Sequence, residues 1–231
     1  AAGWAAPWGM ASSILGRILA IVLAVAAAGR LGLGVIAYRT ANALERPSYS
    51  VVRQLGGGVE LRRYSPYLIA ETSVRADSMR EASGKGFREV AGYVFGKNRP
   101  ATKMAMTAPV RMSSDPRGGV PSTTRVSFVL EKSYSRRTAP APLRGQDVRV
   151  RSVAPHLLAA RSFSGPPPSE KRVSSERQRV LDALSAAGLR PASDGETLLY
   201  GYHDPFITPS FMRKNEVAVR VEDSAAEVRA S

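Results

Sequence analysis

The order of elements along this chain constrains its fold most, because strand, strand, helix, strand, strand can be read twice. In the first round, Val59–Tyr64 (VELRRY) alternates apolar and polar residues as a half-buried strand does. Tyr67–Val74 (YLIAETSV) follows after a Ser65-Pro66 turn. A helix comes next. Ser78-Met79-Arg80-Glu81 fits a capping box, in which the serine and the glutamate each satisfy a free backbone N–H. Met79, Ala82, Gly86, Phe87, Val90, Ala91 and Val94 then recur at three- and four-residue spacing as one apolar stripe, and Gly96 is placed to end it. Lys103–Met112 and Thr124–Tyr134 read as strands around a Ser/Pro/Gly loop at Ser113–Ser122.

The second round follows a Pro/Arg linker at Arg136–Gly145. Asp147–Val153 and Leu157–Phe163 read as strands, and the Pro166-Pro167-Pro168 break leads into a helix over about Ser169–Ala187. Its Val173, Val180, Leu184 and Ala187 share a face, with Gly188 at the end. Thr197–Tyr202 and Glu216–Glu222 close as strands. Duplicated ββαββ units predict an α+β fold in which antiparallel sheet wraps into one barrel-like body with two helices packed outside.

Residues 1–44 differ from everything after them. Ile18–Gly29 is an uncharged twelve-residue run bracketed by Arg17 and Arg30. A spanning helix needs about 20 apolar residues, so twelve alone suit a signal-peptide core, with Ala41-Asn42-Ala43 shaped like a distant cleavage site. Ile14–Tyr38 taken as one segment is long enough for a membrane anchor, with arginines that snorkel. An organelle-targeting segment is a third reading, and a buried core helix ranks lowest. The expected division is 1–44 as this segment and its linker, 45–223 as the globular domain and 224–231 as a tail. The protein is expected to be membrane-associated or exported.

The chain contains no cysteine, which excludes disulfides, thiolate metal sites, iron–sulfur clusters and a thiol nucleophile. Its two histidines, His156 and His203, are too far apart in sequence to suggest a multi-histidine site. The 33 Lys and Arg residues outnumber the 19 Asp and Glu, for a net charge of +14. Such a field suits anionic lipid, nucleic acid or a small dianion. The bases are dispersed, so no specific nucleic-acid partner is expected. Gly56-Gly57-Gly58 joins two strands and opens no helix, which makes it a turn rather than a phosphate loop. Neither histidine stands in a nucleophile-elbow context, and no carboxylate pair is poised for acid–base work.

Several stretches together resemble one known family, the SOUL heme-binding proteins. Tyr49-Ser50-Val51-Val52 with Val59-Glu60-Leu61-Arg62-Arg63-Tyr64 resembles its opening hairpin. Phe87 to Asn98 resembles its first helix and the following turn, and Lys103-Met104-Ala105-Met106-Thr107-Ala108-Pro109-Val110 is similar to its most specific motif. Val126–Leu130 resembles the next strand, and Asp204-Pro205 through Arg213-Lys214-Asn215-Glu216-Val217 its C-terminal element. The match runs from Tyr49 to Glu222 in the family's order. It implies a distorted antiparallel barrel of two pseudo-symmetric halves. It also implies non-covalent binding of heme or related porphyrins in a cleft beside the first helix and the C-terminal loop, with no catalytic residues.

Heme presents a wide apolar face, two propionates and an iron with open axial positions, so its site needs apolar walls, a basic rim and optionally an axial donor. Phe87, Val90, Ala91 and Val94 of the first helix offer a wall, with Arg80 and Arg88 nearby. Met104 and Met106 add adaptable side chains. Phe206 and Phe211 stand beside Arg213 and Lys214. Some family members place a proposed axial histidine where this chain has Arg63, which has no lone pair for iron. His203 is the alternative axial candidate.

Overall fold

The computed structural model describes residues 8–114 and 122–222. The loop expected at Ser113–Ser122 falls largely outside the described residues, and the expected tail at 224–231 falls wholly outside them. A long helix, α1 (Trp8–Ala43), comes first. A glycine hairpin then joins β1 (Tyr49–Gly56) to β2 (Val59–Tyr64). Gly56, Gly57 and Gly58 there have φ of 89°, 57° and 74°, which glycine adopts without a Cβ clash.

The first duplicated unit continues with β3 (Tyr67–Ala76), α2 (Met79–Val94), a short β4 (Asn98–Arg99), β5 (Val110–Ser114) and β6 (Ser122–Val129). A short β7 (Ala141–Pro142) follows, then β8 (Arg149–Val153), β9 (His156–Ser164), α3 (Glu170–Ala186), β10 (Thr197–Gly201) and β11 (Lys214–Val221). Both sheet-covering helices are capped by a serine, for α2 the serine half of the expected box, while Glu81 pairs with Lys85. The Ser78 hydroxyl accepts the Glu81 N–H and the Ser169 hydroxyl accepts the Arg172 N–H.

Nine strands form one antiparallel sheet in the order β1-β2-β9-β11-β10-β5-β6-β3-β8, and β4 pairs with β7. The order is symmetric about β5 and β10. Each unit donates its first strand to the other, β2 to β9 and β8 to β3. Strands joined by only two residues, β2 to β3 through Ser65-Pro66 and β8 to β9 through Ala154-Pro155, therefore sit far apart in the sheet order. The sheet must curve strongly to let them meet.

The α+β architecture, the duplication and the two packed helices are as the sequence predicts. The barrel does not close, because β1 and β8 remain unpaired edges. The proline links turn corners there and form no hairpin ladder. Strand bounds shift for the same kind of reason: the strand expected from Lys103 begins at Val110, since Pro109 has no N–H for a ladder.

The convex face carries the main core. Leu68, Ala70 and Phe128 pack under Val90, Ala91 and Val94 of α2. Val59, Leu157 and Val219 pack under Val180 and Leu184 of α3. Gly86 sits where a Cβ would meet Val126 Cγ2 at 2.6 Å, so only glycine lets α2 lie this close to β6. The linker around Pro140 is tied down as well, with its carbonyl accepting the Tyr93 hydroxyl at 2.7 Å. The concave face is more polar, lined by tyrosines, arginines and Glu216 around a smaller apolar cluster.

Candidate functional site

The loop from Tyr202 to Arg213, between β10 and β11, gathers most of the predicted C-terminal site residues. Asp204 shapes it, its carboxylate accepting the N–H groups of Phe206 at 2.7 Å and Ile207 at 2.8 Å. Arg213 Nε donates to the Thr208 carbonyl at 2.6 Å. The Ser210 carbonyl accepts the Gly165 N–H at 3.0 Å, which fixes the loop to the end of β9. Held in this way, it exposes Phe206 by 80%, Phe211 by 71% and Ile207 by 53%. Three large apolar side chains in water on one short, pinned loop are a marked departure from an ordinary surface.

The C-terminal part of α1 lies against this loop. Gly34 approaches so closely that a Cβ would fall 2.5 Å from Pro209 Cδ. One turn on, Tyr38 stacks on His203 with ring centroids 5.0 Å apart and 4° between planes. Gly34, Tyr38 and the buried Ala41 recur at helical spacing, so one face of α1 meets the loop. The rest of α1 from Val22 on is almost wholly exposed, and Val22–Ala43 is long and apolar enough to cross a membrane by length and composition. The side chains of the stretch around Arg17 lie outside the described residues.

Basic side chains frame the loop. Arg46 lies 5.1 Å over the Tyr202 ring and Lys214 4.7 Å over it. His203 has a defined hydrogen-bond pattern. Its Nδ1 accepts the Lys214 backbone N–H at 3.0 Å, so the neutral ring carries its proton on Nε2, which has no partner. Burial, with Arg46 adding to it, pulls the ring below the usual histidine range. With Nδ1 engaged and Nε2 protonated, no lone pair is free for iron. The axial role anticipated for His203 does not fit this arrangement.

The α2 candidates separate by face. Phe87 is 41% exposed and packs its inner edge on Phe128 at 5.2 Å between centroids. Arg80 and Arg88 are exposed. Val90, Ala91, Val94 and Met104 are buried between α2 and the sheet, so they hold the core and offer no wall to a ligand. Met106 is half-buried at the edge of that cluster. The ladder Gly201↔Val110↔Phe128 puts the start of the C-terminal loop two strands from Phe128, about 10 Å at ordinary strand spacing.

Sequence reading missed the concave face. Arg62 and Glu216 form a fully buried pair there, and Tyr64, Tyr67, Tyr200 and Tyr202 line the cleft beside it, which holds only about 30 Å³. Strand alternation was the available signal, yet it does not say which of two covered faces a residue occupies. His156 is buried here, stacked on Tyr64 at 5.3 Å with Nδ1 2.7 Å from the Ala154 carbonyl.

Comparison with known proteins agrees with this architecture. The SOUL heme-binding protein family profile matches residues 44–220. Heme-binding protein 2 of Homo sapiens is 32% identical over 129 residues, 54% of this chain and 62% of that protein, so the match spans under two thirds of it. Heme-binding protein 2 of Mus musculus is 27% identical over 190 residues, 80% of this chain and 90% of that protein. Among solved structures, the EcmrR C-terminal domain superposes with a TM-score of 0.53 at 9% identity, over 75% of this chain and 98% of that one. A hydrolase from Listeria innocua gives 0.50 at 9% identity, over 71% and 91%. At such identity these structures share the fold and nothing more is inferred from them. With the family profile covering most of its length, the chain belongs to the SOUL heme-binding protein family.

Proposed function

We propose that the protein binds heme or a related tetrapyrrole non-covalently, as a membrane-held carrier, buffer or sensor and without catalysis. The observation that carries this reading is the pinned loop exposing Phe206, Ile207 and Phe211 beside Arg213, Lys214 and Arg46. Those side chains supply the apolar wall and cationic rim that a planar dianion needs. Exposed Phe87 with Arg80 and Arg88 is a second apolar and basic patch, on α2, to which the same ligand would have to span. His203 supports the loop from inside, its ring stacked on Tyr38 and its Nε2–H buried without a partner among the described residues. Bound heme would supply a redox-active iron and a visible chromophore. Neither histidine is set beside a nucleophile: His156 faces a backbone carbonyl and His203 a backbone N–H. Helix α1, exposed over its apolar length, holds residues 45–223 at a membrane or directs them across it.

The test is a parallel titration of hemin and metal-free protoporphyrin, followed by quenching of tyrosine fluorescence. Contacts that ignore iron predict affinities within about threefold of each other, below 1 kcal/mol. A preference for hemin of about a hundredfold would mean axial ligation and contradict the assigned His203 tautomer. Failure of both to saturate would remove the proposal.

A further inference from the structure

Among the described residues, one buried cation on the concave face has no carboxylate within ion-pair distance, Glu71 acting on it only from across the cavity. Arg111 on β5 exposes only 6% of its surface. Its guanidinium lies 5.4 Å from the Tyr67 ring centroid and 5.9 Å from that of Tyr200. Nε and Nη1 have no hydrogen-bond partner among the described residues. A guanidinium stays protonated in a protein, and two tyrosine faces only partly replace the water it has lost.

The duplication explains how this charge comes to be unpaired. Strand pairing aligns Glu71, Ser127, Arg111, Tyr200, Glu216 and Ser162 in one row across β3, β6, β5, β10, β11 and β9. The row is symmetric about β5 and β10. In the second unit, Glu216 occupies the β11 position and pairs with Arg62. In the first unit the corresponding β6 position is Ser127, which brings no charge to Arg111.

Beside Arg111 lies a polar cavity of about 170 Å³, lined also by Ser113, Ser152, Arg151, Glu71, Glu196 and Arg220. The carboxylates are already engaged. Glu71 pairs with Arg151 at 2.9 Å, and Glu196 pairs closely with Arg125. Arg220 reaches only 3.9 Å from Glu196 and 4.0 Å from Asp194, and its Nε also has no hydrogen-bond partner. Two arginines thus present unsatisfied N–H groups to one polar recess that opens to solvent.

We infer that this cavity is a receptor for a small oxyanion, held by Arg111 with help from Arg220. Inorganic phosphate, sulfate and a short carboxylate share the required chemistry of charge and hydrogen-bond acceptors. The volume is well below the roughly 300 Å³ at which drug-sized pockets begin, so a tetrapyrrole does not enter it. Arg111 also borders the narrow cleft that Arg46 and Lys214 line, but the cavity itself contains none of the residues of the proposed heme loop, so either reading can fail without the other.

The experiment uses the full chain in detergent micelles at constant ionic strength, titrated calorimetrically with phosphate, sulfate or acetate against chloride. The expected result is saturable one-site binding by at least one of them, with a matching rise in Tm. Phosphate or sulfate as tightest ligand marks a tetrahedral-anion site, and acetate a carboxylate site. Arg111→Met should weaken binding about tenfold to hundredfold, the loss expected for charge-assisted hydrogen bonds, while leaving hemin affinity unchanged. Arg220→Gln, at a partly exposed position, serves as a second variant if Arg111→Met does not fold, and it too should weaken binding. No saturable binding by any of the three, or affinity unchanged in the folded variants, overturns the inference.

Discussion

Arg62 and Glu216, 154 residues apart, form a bidentate ion pair inside the sheet, with Nη1 to Oε2 and Nη2 to Oε1 both at 3.0 Å. Glu216 is fully buried. It also accepts the Ser162 hydroxyl at 2.7 Å and the Tyr202 hydroxyl at 2.6 Å, and Lys214 approaches to 2.9 Å. Burial alone would raise its carboxyl, but Arg62, Lys214 and Tyr202 hold it down at about 2. Arg62 lies in the opening family motif and Glu216 in the closing one, so this pair joins the two ends of the domain. It also fixes β11, from which the candidate loop departs.

Removing one partner strands the other in the interior. Arg62→Met should cost about 3–5 kcal/mol, as breaking a buried pair does. Urea unfolding of the variant measures this, and a loss below about 1 kcal/mol would mean that Lys214 and the hydroxyls suffice without the guanidinium.

Acid should weaken the fold in two steps. His156 and His203 are both pulled below their ordinary value of 6.5, burial being the largest cause. The unfolded chain takes up those protons first, so stability declines as pH falls through 6.5. Glu216 titrates at about 2 in the folded state against 4.5 when free. Its contribution is complete above about 4.5 and is lost as pH falls from there towards 2. Urea midpoints measured from pH 8 to 3 should fall in both windows, and His156→Phe should flatten the upper one. A midpoint constant between pH 7.5 and 5 would contradict the histidine assignment.

The contact of α1 with the candidate loop depends on a missing side chain. Gly34→Leu introduces atoms where Pro209 already sits, with even a Cβ only 2.5 Å from Cδ. The variant should separate Tyr38 from His203 and speed amide exchange at Ile207 and Arg213, while protection in β9 and β11 stays as in the wild type. Unchanged exchange in the loop would show that α1 does not brace it.

Much of the architecture is legible in the sequence because local signals repeat. Ser78 and Ser169 announce their helices, and the stripe from Met79 to Val94 marks the face that α2 buries. That stripe also misleads about the site. Helical spacing cannot divide a stripe between core and ligand wall, so Val90 and Val94 look equivalent to Phe87 although only Phe87 reaches the surface. The exchange of β2 and β8 between units is not encoded locally, since each pairs with a strand from the other half of the chain. The cationic concave face was hidden for the same reason. Arg111, Glu216 and Tyr200 become neighbours only through that pairing.

The central claim is tested most directly by titrating hemin into the full chain in detergent and following its Soret absorption. The account predicts a saturable shift at one equivalent. In a Phe206→Asp, Phe211→Asp double variant, affinity should fall about tenfold or more, as the wall's apolar contact is lost. Wild-type protein that shows no saturable shift would contradict it, and a double variant that binds as tightly as wild type would move the site elsewhere.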